Sequence, residues 1–310
     1  MKREPNIGAR ARVRLLRLAK ERGDDFQLVL LRFVHERLLY RLAASTHAQA
    51  FVLKGAALFT VWTGHPHRAT RDLDLLGFGD ATETRLRAVF ADIATTRTVD
   101  DGVTFDPATI ETEPIRAAEE YDGVRIHLEA RISTARIRLQ VDIGFGDAIT
   151  PEASIVEFPA LLDFPAPQLR AYPRETAVAE KVEALVKLGL ANSRMKDFYD
   201  LAVLARLFSF DGAQLARAIR ATFERRGTAL PEGAPVALTA DFANAPGKTA
   251  QWSGFKRKGV VADAGGLVEV VAEVARFVSD PLTAARADAR WAGRWPAGGP
   301  WAKAGEFPQR

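Results

Sequence analysis

His67-Arg68-Ala69-Thr70-Arg71-Asp72-Leu73-Asp74-Leu75-Leu76 sets two carboxylates two residues apart at the head of an apolar run. Residues two apart in an extended strand share a face, so Asp72 and Asp74 project to one side while Leu73 and Leu75 project to the other. Ionised carboxylates held that close repel each other, and a cation between them relieves the repulsion. The pair is read as a divalent metal site on a strand; the competing reading is a solvated strand edge that carries two acids.

The residues before the pair sharpen this reading. Phe51-Val52-Leu53 is a short β-type run, Lys54-Gly55-Ala56 a small-residue turn, and Ala57 to Thr63 a helix that Gly64 stops. A glycine turn at a helix start presents unpaired backbone N–H groups, which attract phosphate. Strand, turn, helix, loop and Asp-x-Asp strand, with magnesium bridging carboxylates and phosphates, look like a nucleotidyltransferase. His65 and His67 flank Pro66 without a third ligand nearby and read as a turn feature.

Further along, Val124, Ile126 and Leu128 alternate with polar residues, as do Ile137, Leu139, Val141 and Ile143, with Ser133-Thr134 between them. This is a β-hairpin. Its second strand carries Arg136, Arg138, Gln140 and Asp142 on one face, and Asp142 is the candidate third carboxylate; an ordinary polar strand face is the alternative. Asp147 reads as a loop or cap residue. The polar stretch from Thr95 to Ala118 carries a turn at Asp100-Asp101-Gly102 and no clear period.

The stretch Phe158-Pro159 to Pro165-Ala166-Pro167 reads as a linker, and the chain beyond it as helical. Ala177, Val178, Val182 and Leu185 form the apolar stripe of a helix from about Arg174 to Leu188, ended by Gly189. Lys181 falls in that stripe and needs an anionic partner or a route to water. A second helix from Met195 carries Asp197, Leu201, Leu204 and Phe208 on one face, with Asp200 a turn on. Lys181 and Asp197 fit a structural ion pair between helices, or a lysine that holds a triphosphate with Asp197 or Asp200 orienting it.

The 310 residues, 47% hydrophobic, suffice for a sizeable core and about two domains. No apolar run reaches membrane-spanning length and no signal-peptide pattern opens the chain, so a soluble, cytoplasmic protein with no membrane partner is expected. The absence of cysteine excludes disulfides and thiolate metal sites. A net charge of +4 and a pI near 9.4 are compatible with a nucleic-acid partner. The first 50 residues read as two amphipathic helices whose arginines form a solvated face or an RNA-contacting one. Trp252, Phe255, Lys256, Arg257 and Lys258 read as a helix-packing corner or a stacking surface for nucleic acid.

Four segments carry a family resemblance: Leu53-Lys54-Gly55-Ala56-Ala57-Leu58, Arg68 to Leu76, Val141-Asp142-Ile143-Gly144-Phe145-Gly146-Asp147, and Glu180-Lys181 with Arg194-Met195-Lys196-Asp197-Phe198-Tyr199-Asp200-Leu201. In that order, over about residues 30 to 210, the chain resembles the AbiEii/AbiGii toxins, minimal nucleotidyltransferases of the polymerase-beta-like superfamily. Many relatives have Gly-Gly or Gly-Ser where this chain has Gly55-Ala56, which removes a hydroxyl contact to phosphate.

The resemblance implies an α+β fold: a minimal nucleotidyltransferase core, a small mixed sheet flanked by helices, followed by a helical C-terminal domain. Residues 1–160 would form the first domain with its N-terminal helices, 161–285 the second, and 286–310 an extended tail packed by its tryptophans. It further implies Asp72, Asp74, Asp142, Lys181, Asp197 and Asp200 as catalytic residues, the first three holding Mg2+ or Mn2+. Lys54, Gly55, Ala56, Arg68, Arg71, Arg194 and Lys196 would bind the nucleotide. The implied activity is transfer of a nucleoside monophosphate from an NTP to an acceptor hydroxyl, foremost the 3′ end of tRNA, blocking translation in a phage-defence toxin–antitoxin system of type IV kind with a cognate antitoxin. A protein or small-molecule acceptor, or a non-catalytic nucleotide-binding module, is the alternative.

Overall fold

The computed structural model describes residues 6–116, 122–259, 261, 264–288 and 291–303. The chain divides into two compact units, Met1–Gly146 with Ser154–Ala171, and Asp147–Ala153 with Tyr172–Arg310. The fold is α+β, a mixed seven-stranded sheet with helices followed by a mostly helical region.

In the first unit the helices are α1 (Ile7–Arg22), α2 (Phe26–Ala44), α3 (Ala57–Thr63) and α4 (Glu83–Thr95). The strands are β1 (Phe51–Lys54), β2 (Asp72–Gly77), β3 (Val103–Arg116), β4 (Asp122–Ile132), β5 (Ala135–Phe145), β6 (Ser154–Glu157) and β7 (Gln168–Ala171), in the sheet order β3-β4-β5-β2-β1-β7-β6. Asn6, Asp25 and Thr82 cap α1, α2 and α4 by accepting backbone N–H bonds from Ala9, Leu28 and Arg85. Gly23 and Gly64 end α1 and α3 in the left-handed conformation.

Period two sorts the side chains of the central strands. Leu73, Leu75, Leu139, Val141 and Ile143 are buried, and Phe33, Val34 and Leu38 of α2 and Leu86, Phe90 and Ile93 of α4 belong to the same unit's core. Asp72, Asp74, Gln140 and Asp142 take the alternate positions and stay half-buried. The β4–β5 hairpin turns at Ser133, whose φ of 53° is left-handed for a residue that has a Cβ.

The Thr95–Ala118 stretch, without a clear period in the sequence, forms the long strand β3 as far as Arg116; 117 and 118 lie outside the described residues. An irregularity between Asp106 and Glu111 interrupts its alternation, and as the edge strand it carries acids on its later half. The Pro-rich stretch read as a linker joins β6 to β7 within the first unit, β7 pairing in parallel with β1 through Leu53 and Ala171. Buried charge pins it: Glu36 accepts the Leu161 N–H at 2.7 Å, and Arg37, fully buried and paired with Glu36 at 2.6 Å, donates to the Pro165 carbonyl at 2.9 Å. Arg41 grips Asp101 through two hydrogen bonds, also out of water. On α1 the arginines are exposed or half-buried, with Arg14 paired to Asp163 and Arg17 to Glu21.

The second unit holds α5 (Arg174–Leu188), α6 (Met195–Leu207), α7 (Gly212–Arg225), α8 (Ala240–Asn244), α9 (Lys248–Gly259) and α10 (Leu267–Ala287). A small sheet of β8 (Phe210–Asp211), β9 (Gly293–Trp295) and β10 (Ala302–Lys303) completes it, and Trp295 and Trp301 pack against Phe277 of α10. Asp147 lies in the loop after β5, as read, and its side chain is buried there and accepts from Arg226 at 2.9 Å, with Glu183 on the same guanidinium. Trp252 is buried and donates to the Gly265 carbonyl, and Phe255 packs on Tyr199, so this aromatic pair belongs to a helix-packing corner whose rim is Arg257 and Lys258. No helix among the described residues is long and apolar enough to cross a membrane.

Candidate active site

Strand register assembles the acidic residues. β2 and β5 are parallel neighbours, with Asp74 opposite Asp142 and Asp72 opposite Gln140. Directly opposed residues project to the same side of a sheet, so Asp142 joins the face that bears Asp72 and Asp74. One carboxylate oxygen from each of the three lies within 4.8 Å of the others, and this is the one group of potential metal ligands among the described residues. Thr70 donates to Asp72 Oδ1 at 2.5 Å, fixing that carboxylate at the strand entrance.

The turn before α3 fits under this cluster. Gly55 has φ +73°, and a Cβ built on it falls 1.9 Å from Asp74 Oδ2 and 2.6 Å from its Cγ. Only a residue without a side chain leaves Asp74 in place. A hard all-oxygen donor set with a cradle cut to one of its members suits a divalent metal. Ala56 is buried, Lys54 sits opposite Asp74 in the β1–β2 pairing, and Arg68 is half-buried. Arg71 is exposed and lines an open groove with Arg136, Arg138, His127 and Gln140.

On the other flank, Asp72 lines a small pocket together with His35, Ala56, Thr60 and Phe158. Burial pushes the His35 imidazole down to about 4, against the pull of Asp72, and so keeps it neutral. His67 stacks on Phe59 at a centroid distance of 3.5 Å, a packing role consistent with the turn reading.

Two residues of the site escape a reading of the motifs alone. Arg125 of β4 donates from Nε to Asp142 Oδ1 at 2.8 Å and from Nη2 to Oδ2 at 2.9 Å, and Gln140 Nε2 donates to both oxygens at 3.1 and 3.3 Å. Glu113 of β3 lies 3.5 Å from Arg125 Nη1. The signal was present: counting back from the Ser133-Thr134 turn puts Arg125 directly opposite Asp142.

In the second unit, Lys181 Nζ donates to Asp197 Oδ1 at 3.1 Å and Asp200 Oδ2 at 2.8 Å, and Arg194 Nε lies 2.7 Å from Asp197 Oδ2. Both aspartates are fully buried, whereas Lys181 keeps a partly exposed stem and Lys196 faces solvent. Lys248 braces the turn ahead of α6 by donating to the Leu190 and Asn192 carbonyls at 2.7 and 2.6 Å.

Residues 37–290 match the family model of the nucleotidyl transferase AbiEii toxin of type IV toxin–antitoxin systems. The chain belongs to the AbiEii family. It is thus a nucleotidyltransferase toxin, and membership implies an NTP substrate and a cognate antitoxin. No curated protein matches the chain. Among solved structures it is similar to JHP933 from Helicobacter pylori, with 14% identity and a TM-score of 0.49 over 84% of this chain and 93% of that one. A second, described as a candidate H. pylori nucleotidyltransferase, has 14% identity and a TM-score of 0.47 over 85% of this chain and 98% of its own.

Proposed function

We propose that this AbiEii protein transfers a nucleoside monophosphate from an NTP to the 3′ hydroxyl of tRNA, blocking translation. The acceptor oxygen forms the new bond to the α-phosphorus, the bond to the β-phosphate breaks, pyrophosphate leaves, and the hydroxyl proton passes to solvent. The observation that carries the reading is the triad Asp72, Asp74 and Asp142 over Gly55. Asp72, Asp74 and Asp142 would hold Mg2+ or Mn2+, which would supply Lewis acidity to the attacking hydroxyl and offset phosphate charge.

The chain's own residues do the rest. Asp72 and Asp74 are the primary ligands, with Thr70 holding the first in its rotamer. Lys54, Arg68 and Arg71 supply positive charge to the phosphates, and the side-chain-free Gly55 lets the backbone of Gly55-Ala56 approach them. Lys181 is the phosphate ligand proposed for the second unit, oriented by Asp197 and Asp200, with Arg194 on Asp197 and Lys196 exposed on the same helix as the two aspartates. A polyanionic acceptor is favoured by the groove next to Gln140, where the side chains of Arg71 and Arg136 make no ion pair or hydrogen bond among the described residues.

The test incubates the protein with total tRNA, Mg2+ and each labelled NTP in turn, beside Asp74→Ala. Label on tRNA with the wild-type protein alone is expected. Transfer retained by Asp74→Ala with unchanged kinetics removes the metal assignment, and label on protein or a small molecule instead of tRNA removes the acceptor.

A further inference from the structure

Asp142 has its bonding capacity fully taken. An ionised carboxylate offers about four lone-pair positions. Arg125 Nε and Gln140 Nε2 both reach Oδ1, and Arg125 Nη2 and Gln140 Nε2 both reach Oδ2, all between 2.8 and 3.3 Å. A metal can therefore recruit Asp142 only if a donor withdraws. Gln140 is neutral and can share; the guanidinium is a cation lying where a second cation would repel it. A guanidinium keeps its charge throughout, so it cannot leave by losing its proton.

The sheet gives it somewhere to go. Glu113 on β3, Arg125 on β4, Asp142 on β5, Asp74 on β2 and Lys54 on β1 are successive cross-strand partners, one row of charges across five strands. Arg125 thus stands between two acids, bidentate on Asp142 and 3.5 Å from Glu113. Glu113 is about half exposed and has His127 Nε2 at 3.7 Å as its other neighbour. A long side chain anchored midway can swap carboxylates by rotating its outer torsions.

We propose that Arg125 is a positioning residue that guards the third carboxylate, holding Asp142 on the acidic face while the site lacks a metal and moving to Glu113 when a divalent cation takes the triad. This rests on the triad's being a metal site. The exchange makes metal entry competitive with an internal cation: the three carboxylates stay compensated beforehand, and the ion inherits a ligand already aimed.

Mn2+ binding, followed by loss of the free-ion signal in electron paramagnetic resonance, tests this without any nucleotide. Arg125→Met keeps the length and removes the charge; its Mn2+ affinity should rise about tenfold, the size expected for deleting a unit charge a few ångström from a divalent ion. Glu113→Gln, which takes away the alternative partner, should weaken wild-type binding roughly threefold, in line with a half-exposed ion pair. In Arg125→Met with Asp142→Asn the gain should vanish. Unchanged or weaker binding by Arg125→Met overturns the guard role, since a mere buttress lowers affinity when removed; unchanged binding by Glu113→Gln overturns the exchange. Wild-type protein that fails to bind Mn2+, or binds it equally with Asp74→Ala, defeats the metal-site reading instead, so the two failures are told apart.

Discussion

Replacing Gly55 by alanine should separate backbone strain from damage to the metal site, because a matched control lies nine residues on. Gly55 and Gly64 bracket α3, with φ of +73° and +81°. At either position alanine adopts a left-handed conformation, costing about 1–2 kcal/mol. At about 2–4 °C per kcal/mol for a unit of this size, that predicts a melting point lower by roughly 2–8 °C in both variants. The variants differ in what the new Cβ meets. At Gly64 nothing lies within 4 Å, whereas at Gly55 the Asp74 carboxylate oxygen is 1.9 Å away and must retreat beyond 3.0 Å. Metal ligands tolerate displacements of about 0.2 Å, so a shift of this size takes Asp74 out of any shared coordination. Mn2+ titration with parallel thermal melts should give two destabilised proteins, Gly64→Ala binding as wild type does and Gly55→Ala losing at least about tenfold in affinity. Gly55→Ala with wild-type Mn2+ affinity would refute the reasoning, since Asp74 would then not be the ligand that the glycine turn accommodates.

Asp101→Ala should cost about 3–5 kcal/mol in urea unfolding, because it strands the buried Arg41 guanidinium that Asp101 now holds with two bonds. Lys181→Met should cost a similar amount, roughly 3–5 kcal/mol, by leaving the fully buried Asp197 and Asp200 without their shared cation; a melt unchanged from wild type would show that the lysine contributes little to the fold. Burial lifts the Glu36 carboxyl to about 7 from an ordinary value of 4.5, so the folded chain binds more protons than the unfolded one between those limits. Stability through this group is therefore full below about 4.5 and is lost as pH rises to about 7; Glu36→Gln should remove that decline from a series of urea midpoints, and an unaltered slope would reject it.

The elements that set the site were legible because each carries a strong local signal. Lys54-Gly55-Ala56 and the Asp72/Asp74 alternation fix β1, α3 and β2 to within a residue or two, and the Ser133-Thr134 turn places the β4–β5 hairpin, whose strands run longer than the alternation shows. β3 stayed hidden because its alternation breaks at an irregularity and its outer half faces solvent as a sheet edge. The short strands flanking Phe158–Pro167 were masked by prolines, and what docks that loop is a buried Glu36–Arg37 pair more than a hundred residues away, invisible to any local window. Asp147 is a loop residue, as read, but its burial was hidden because its partner Arg226 lies 79 residues away. Arg125 was readable in principle from register, yet its importance depends on which strand lies beyond β5, and a parallel neighbour leaves no mark in the intervening sequence.

That parallel pairing also times the appearance of the site. Asp72 and Asp74 come early in synthesis, but Asp142 reaches them only when β5 has been made and has docked beside β2 across a long connection. Pairings so distant in sequence form late, after their loop-closure cost is met. A slip of one residue between β2 and β5 would turn Asp142 into the apolar layer and bring Val141 or Ile143 out in its place. Partly built or misregistered chains therefore lack the three-carboxylate cluster, which comes together only once β5 has docked beside β2 in register.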